Sequence, residues 1–162
     1  MRNDKRFAEF IFKNGKQYKP AALPKEIAPG PLGKCFDVCA MAAASLRHYR
    51  DGKMVERYQY VEGLARDPMN LSRWLTHAWL TDGEHAFDPT WKAIRPDGEV
   101  LPILTEYVGI AIPLEKLTRF IVATEYASVV SNSWRNPELA AACIPGLPIG
   151  KISKEFFIEI HE

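Results

Sequence analysis

Cysteine, surplus charge and long apolar runs are all scarce in this chain of 162 residues, and each scarcity closes off a class of function. Cysteine occurs at positions 35, 39 and 143 only, an odd count that makes a poor disulfide framework. The N-terminus (Met-Arg-Asn-Asp-Lys-Arg) lacks the apolar stretch of a secretory signal. Both features point to a reducing, cytoplasmic setting. Cys35 and Cys39 stand four apart on what reads as a helix, where a bridge would strain backbone and disulfide alike. Charge nearly cancels, with 21 Lys and Arg against 20 Asp and Glu, so nothing in it calls for nucleic acid or an acidic partner. No apolar run approaches the roughly 20 residues that cross a bilayer, so no membrane segment is expected. No CxxC or HxxxH pattern is present. A zinc site built from Cys35, Cys39 and His77 lacks a fourth ligand, and no metal or other cofactor is expected.

What remains is an ordinary globular composition, 47% hydrophobic and 25% charged. The length suits one domain that buries about 70% of its unfolded surface. Phe7, Phe10 and Ile11 recur at helical spacing between Asp4 and Lys13, with Gly15 placed to end that helix. Residues 14–33 carry Pro20, Pro24, Pro29 and Pro31, and read as an extended, mildly basic arm lying across the surface. Gly30-Pro-Leu-Gly33 then opens the most apolar helix, roughly Lys34 to Tyr49, which has so little polar face that burial all round is expected.

Asp51-Gly52 marks a turn, and Met54 to Glu62 reads as a strand ending at Gly63. Asp67-Pro68 looks like the start of a short helical turn through Leu71, Trp74 and Leu75. Val108 to Pro113 suggests another strand, and Leu114 to Thr124 a helix. Pro137 to Cys143 reads as a short helix, and Phe156, Ile158 and Ile160 alternate as a last strand. A buried helix followed by strands implies an α+β fold with an antiparallel sheet.

The stretch from Thr76 to Trp91 carries the chemistry. Asp82-Gly83 is the dipeptide most favoured in two-residue hairpin loops. A loop centred there sets Leu80 opposite His85, Trp79 opposite Ala86 and His77 opposite Asp88, placing an imidazole beside a carboxylate on one sheet face. Pro89 holds Asp88 extended. Trp79 shares the face of His77, where it either walls a cleft or fills the core, and His85 falls on the other face. His48 and His161 read as surface residues. Cys35, in the first turn of the apolar helix, sits where the positive end of the helix dipole favours a thiolate. An imidazole beside it would activate the thiol and protonate a leaving amine, and a carboxylate on the far ring nitrogen would fix the tautomer. Singly, each residue is more often structural: a buried cysteine, a bonded histidine, a surface ion pair.

Gly33-Lys-Cys35-Phe-Asp-Val-Cys39 with Ala40, Val61-Glu-Gly63, His77-Ala-Trp79 and Asp88-Pro-Thr90 together resemble the transglutaminase-like superfamily, a branch of the papain-like cysteine enzymes. The resemblance spans roughly residues 30–91. It implies a papain-like fold in which a buried catalytic helix packs on an antiparallel sheet. It also implies Cys35 as nucleophile, His77 as base and acid, and Asp88 as the orienting acid. The chain departs from the family in having Cys39 where an alanine is expected, in lacking a Gly-Ile-Pro-Ala-Arg stretch, and in placing Leu64 after the glycine. The activity implied is acyl chemistry on a peptide or other amide substrate through a Cys35 thioester. Hydrolysis is the first expectation; transfer to an amine, or a non-catalytic binding module on the same fold, stays open. Oligomeric state is not legible. For the oxyanion, the Cys35 N–H is one donor, with Gln17, Tyr18, Gln59 and Tyr60 as candidates for the second. Residues 92–162 read as packing or lid elements of the same domain.

Overall fold

The computed structural model describes residues 2–157. Ile158, Ile160 and His161 of the sequence reading lie outside them. Among the described residues no helix is long and apolar enough to cross a membrane. The elements in chain order are α1 (Arg2–Asn14), β1 (Lys16–Ala21), α2 (Cys35–Ser45), β2 (His48–Arg50), β3 (Lys53–Val55), β4 (Gln59–Arg66), β5 (Arg73–Thr81) and β6 (His85–Phe87). They continue with β7 (Lys92–Ile94), β8 (Val100–Pro102), β9 (Tyr107–Ile112), α3 (Leu114–Thr124), a 3₁₀ turn (Ser133–Arg135), α4 (Pro137–Cys143) and β10 (Glu155–Phe157). The fold is α+β.

Five strands close on themselves. The order β5-β4-β9-β1-β6 returns to β5, because β6 pairs with β1 on one side and with β5 on the other. Neighbours are antiparallel except β1 and β6, which run parallel. Strand alternation separates two packed groups. Tyr18, Val61, Ala65, Trp79, Ala86 and Tyr107, drawn from all five strands, fill the inside of the ring. Tyr60, Leu64, Ala78 and Leu80 face outward into a larger core with the helices. There α1 contributes the fully buried Phe7 and Ile11, and α3 contributes Leu117 and Phe120. Each such side chain is worth about 1.5–3 kcal/mol when taken from water.

Several expectations change. Residues 16–21 are not a surface arm but a barrel strand, with only Tyr18 turned fully inward. Lysines and a proline masked its period of two; Pro20 lies past the Lys16–Tyr18 pairing with β9, so its missing N–H costs no bond there. The strand predicted over 54–62 is two strands, and Gly63 lies inside β4 rather than ending it. A Cβ at Gly63 would stand 2.2 Å from the Val108 carbonyl oxygen and 2.4 Å from Gly109 Cα, so this glycine permits close crossing of β4 and β9. Asp67-Pro68 starts no helix. Asp67 accepts the Met69 N–H at 2.9 Å and pairs with Arg73, while Trp74 and Leu75 belong to β5.

Helix α2 is shorter than expected and one-sided, burying Cys35, Cys39, Ala40 and Ala43 while Met41 is 71% exposed. A helix poor in polar residues is therefore not a helix surrounded by protein. Within 92–157, β9 is a barrel strand between β4 and β1, not an added layer.

The hairpin register also differs. Thr81 pairs with Ala86 and Leu80 with Phe87, so the loop is Asp82 to His85 and every pairing has slipped by two residues. Asp82 explains the wider loop, since its carboxylate accepts the N–H groups of Glu84 (2.9 Å) and His85 (2.8 Å). A slip of two leaves each side chain on its original face. His77 and Asp88 are therefore diagonal rather than directly opposed neighbours.

Candidate active site

His77 points into the barrel from β5, and Asp88 follows β6 on the same side. Imidazole Nε2 lies 2.7 Å from Asp88 Oδ2, with both side chains about 95% or more buried. The pair has an aromatic housing. The Trp91 ring centre is 4.3 Å from that of His77, and those of Trp79 and Tyr107 are each 6.3 Å away. Across β4 the partner of His77 is Gly63, itself opposite Gly109 of β9, so no side chain crowds the imidazole along that row.

Asp88 is held at both oxygens. Oδ1 accepts the N–H of Thr90 (3.1 Å), the Thr90 hydroxyl (3.2 Å) and the N–H of Trp91 (2.9 Å). Oδ2 accepts the Tyr107 hydroxyl at 2.8 Å besides His77. Burial alone would raise this carboxyl, but the facing imidazole and these donors outweigh it and hold Asp88 below its ordinary range. For His77, burial pushes downward. The Asp88 charge and hydrogen bond, followed by the Cys35 thiol, overcome it and carry the imidazole up to about 9.

Cys35 reaches this pair through a gap in the sheet. One edge of β5 is covered by β10 at residues 73–75 and by β6 at residues 80–81. Between these stretches lies α2, whose Cys39 thiol donates to the Ala78 carbonyl at 3.5 Å. The loop before α2 is tied to the Asp88 segment as well. The Gly30 N–H donates to the Pro89 carbonyl at 2.9 Å, and the Lys92 ammonium donates to the Gly30 carbonyl at 2.7 Å. The first turn of α2 is thereby held close to the imidazole, and the Cys35 thiol is among the groups that raise His77. With Asp88 on Nε2, Nδ1 is the nitrogen left for the thiol. Cys35 keeps 7% exposure, whereas Cys39 has none and burial pushes its thiol well above the ordinary range.

Tyr60, Gln59 and Gln17, the side chains singled out as candidate second oxyanion donors, are turned away from the His77–Asp88 pair. Tyr60 faces the outer core and its hydroxyl is engaged by Glu62 (3.1 Å) and the Ala127 carbonyl (3.4 Å). Gln59 is exposed, four residues along β4 from the Gly63 that pairs with His77, about 13 Å away at the strand rise. It lines an open polar groove of about 300 Å³ with Glu56, Arg57, Thr81 and Asp82. Gln17 is exposed and alternates outward from the inward Tyr18, which packs edge-on against Trp79 with ring centres 5.9 Å apart. Trp79 is interior and walls no cleft: it is fully buried and its indole N–H meets no acceptor among the described residues. The first-turn N–H groups of α2, at the end of the helix that carries Cys35, have no intrahelical acceptors by construction. His85, as its alternation required, is directed away from the pair and bonds Asp82 at 2.9 Å. Among the described residues, no group of three or more His, Cys, Asp or Glu is arranged to hold a metal.

Comparison with family models, with curated proteins and with solved structures found no match.

Two members of the site escaped the sequence reading. Tyr107 shares a face with the small residues Gly109 and Ala111, a pattern that marks a crowded interior, but nothing local connects β9 to Asp88. Trp91 follows Asp-Pro-Thr directly, and its place over the imidazole comes from the turn that Asp88 Oδ1 organises.

Proposed function

We propose that this chain is a thiol-dependent acyl enzyme of the transglutaminase-like, papain-like kind, acting on a peptide or other amide by hydrolysis. The observation that carries the proposal is the buried His77–Asp88 pair at the gap where α2 presents Cys35. In this mechanism the Cys35 thiolate attacks the amide carbon, forming the C–S bond and an oxyanion faced by first-turn N–H groups of α2. The intermediate collapses, the C–N bond breaks, and His77 Nδ1 gives its proton to the departing amine. Water then attacks the thioester with His77 taking its proton; a carboxylic acid leaves and the thiol is restored. Asp88 stays ionised throughout and keeps the imidazole in one orientation. An amine in place of that water would make the same chemistry an acyl transfer.

Thiol labelling tests the reading. Near neutral pH, iodoacetamide is expected to label the folded protein chiefly at Cys35. Labelling should vanish in Cys35→Ala and persist in Cys39→Ala. A chain that labels at neither cysteine would be a sealed core thiol on a non-catalytic fold.

A further inference from the structure

Oδ2 of Asp88 has two donors, not one. His77 Nε2 approaches at 2.7 Å and the Tyr107 hydroxyl at 2.8 Å, whereas Oδ1 is filled by Thr90 and Trp91. Tyr107 is 1% exposed, and its hydroxyl makes no other hydrogen bond among the described residues. Its ring is fixed edge-on against Trp79, with centres 5.0 Å apart, and its backbone is paired with Tyr18 on one side and Ala65 on the other. Such a phenol has little freedom to serve another acceptor. The proton it contributes goes to the same oxygen that attracts the imidazole.

We propose that Tyr107 is a positioning residue that competes with His77 for Asp88 Oδ2 and so sets how strongly the carboxylate holds the imidazole proton. The inference rests on the acyl-enzyme reading for its consequence, but not for its geometry. A histidine that must accept a proton from a thiol or water and later release it to an amine works best when neither state is held too firmly. Asp88 alone, buried and aimed at Nε2, would bias His77 strongly toward the charged state. A second donor on the same oxygen spreads the carboxylate charge and weakens that pull. Burial and the facing carboxylate hold the phenol well above its ordinary range, so Tyr107 remains a donor at every working pH. The other titratable groups around the pair are Cys35 and Cys39 from α2 and, beyond Trp79, Tyr18 from β1.

The test is the titration of the His77 ring, followed by nitrogen-15 NMR in the full chain. Tyr107→Phe keeps the ring and removes the donor, and 3-fluorotyrosine in place of Tyr107 makes the donor more acidic and stronger. The His77 midpoint is expected to rise by about 0.5 to 1 unit in Tyr107→Phe and to fall in the fluorinated protein. The upper limb of the pH profile for iodoacetamide labelling of Cys35 should move in step. A midpoint unchanged in both proteins, with only thermal stability altered, would make Tyr107 a packing residue and overturn the inference. A wild-type Cys35 that resists iodoacetamide would sink the acyl-enzyme reading instead, while the NMR midpoints would still decide the role of Tyr107.

Discussion

Asp88 and Glu62 are both buried carboxylates of one barrel, on opposite sides of its wall, and the contrast between them shows what burial does to an acid. Asp88 faces inward and accepts five hydrogen bonds, one of them from an imidazole that carries charge. Glu62 faces outward, fully buried, and accepts four: from Val129 N–H (2.8 Å), Ser128 hydroxyl (3.0 Å), Val130 N–H (3.1 Å) and Tyr60 hydroxyl (3.1 Å). The numbers of donors are similar, yet Asp88 is held below its usual range while Glu62 is pushed up to about 7 by burial that its donors only partly offset. The deciding difference is a cation. Neutral donors moderate the cost of burying a carboxylate, whereas a facing positive charge reverses it. Glu62 consequently anchors the segment after α3, and Asp88 can tune an imidazole.

The sharpest way to break this contrast is to remove the inward charge. In Asp88→Asn the imidazole keeps its burial and loses its anion, so the His77 midpoint should fall from about 9 to below its ordinary 6.5. Iodoacetamide labelling of Cys35 near neutral pH should slow at least about tenfold, because one unit of midpoint is a factor of ten in protonation. NMR titration and labelling kinetics measure the two effects.

The outward carboxylate predicts a stability curve of the opposite sense to that of Asp88. A folded-state value near 7 against 4.5 for the free side chain means that the folded chain binds more protons between those pH values. Glu62 should therefore make the wild type lose stability as pH rises from about 4.5 to 7, by on the order of 3 kcal/mol, with no further loss from this group above. Chemical denaturation of Glu62→Gln across that window should lack this component. In the inward pair Asp88 runs in the opposite direction, and His77 runs in the same direction as Glu62 but in a higher window. The Asp88 contribution is lost as pH falls through its lowered folded value, and the His77 contribution is complete below 6.5 and lost as pH rises through about 9.

The smallest effect is expected at the other His–Asp pair among the described residues. His85 and Asp82 lie 2.9 Å apart, with side chains 37% and 41% exposed. His85→Ala should change stability by less than about 1 kcal/mol in thermal melts and leave Cys35 labelling unaltered. A large effect there would mean that burial is not what separates the two pairs.

Much of this was legible locally. Helices α1 and α3 follow from apolar spacing, and the inward placing of His77 with Asp88 survived an incorrect register because the error was even. A loop one residue longer or shorter would have turned Asp88 to the opposite face. The expected helix at Asp67-Pro68 was lost to the pairing of Trp74 and Leu75 with β4 and β10. The strand over Lys16–Ala21 was hidden because only Tyr18 carries its burial signal.

The sequence by itself determined the residue types and their faces: a cysteine opening a helix, and a histidine and an aspartate on one side of a hairpin. Tertiary structure alone decided which groups complete the site. Ring closure through the parallel pairing of β1 with β6 brings β9 opposite the hairpin, and only then does Tyr107 reach Asp88, 19 positions earlier in the chain. Closure likewise leaves the gap at β5 that α2 occupies. These contacts depend on where distant strands cross, and local patterns of polarity carry no information about that.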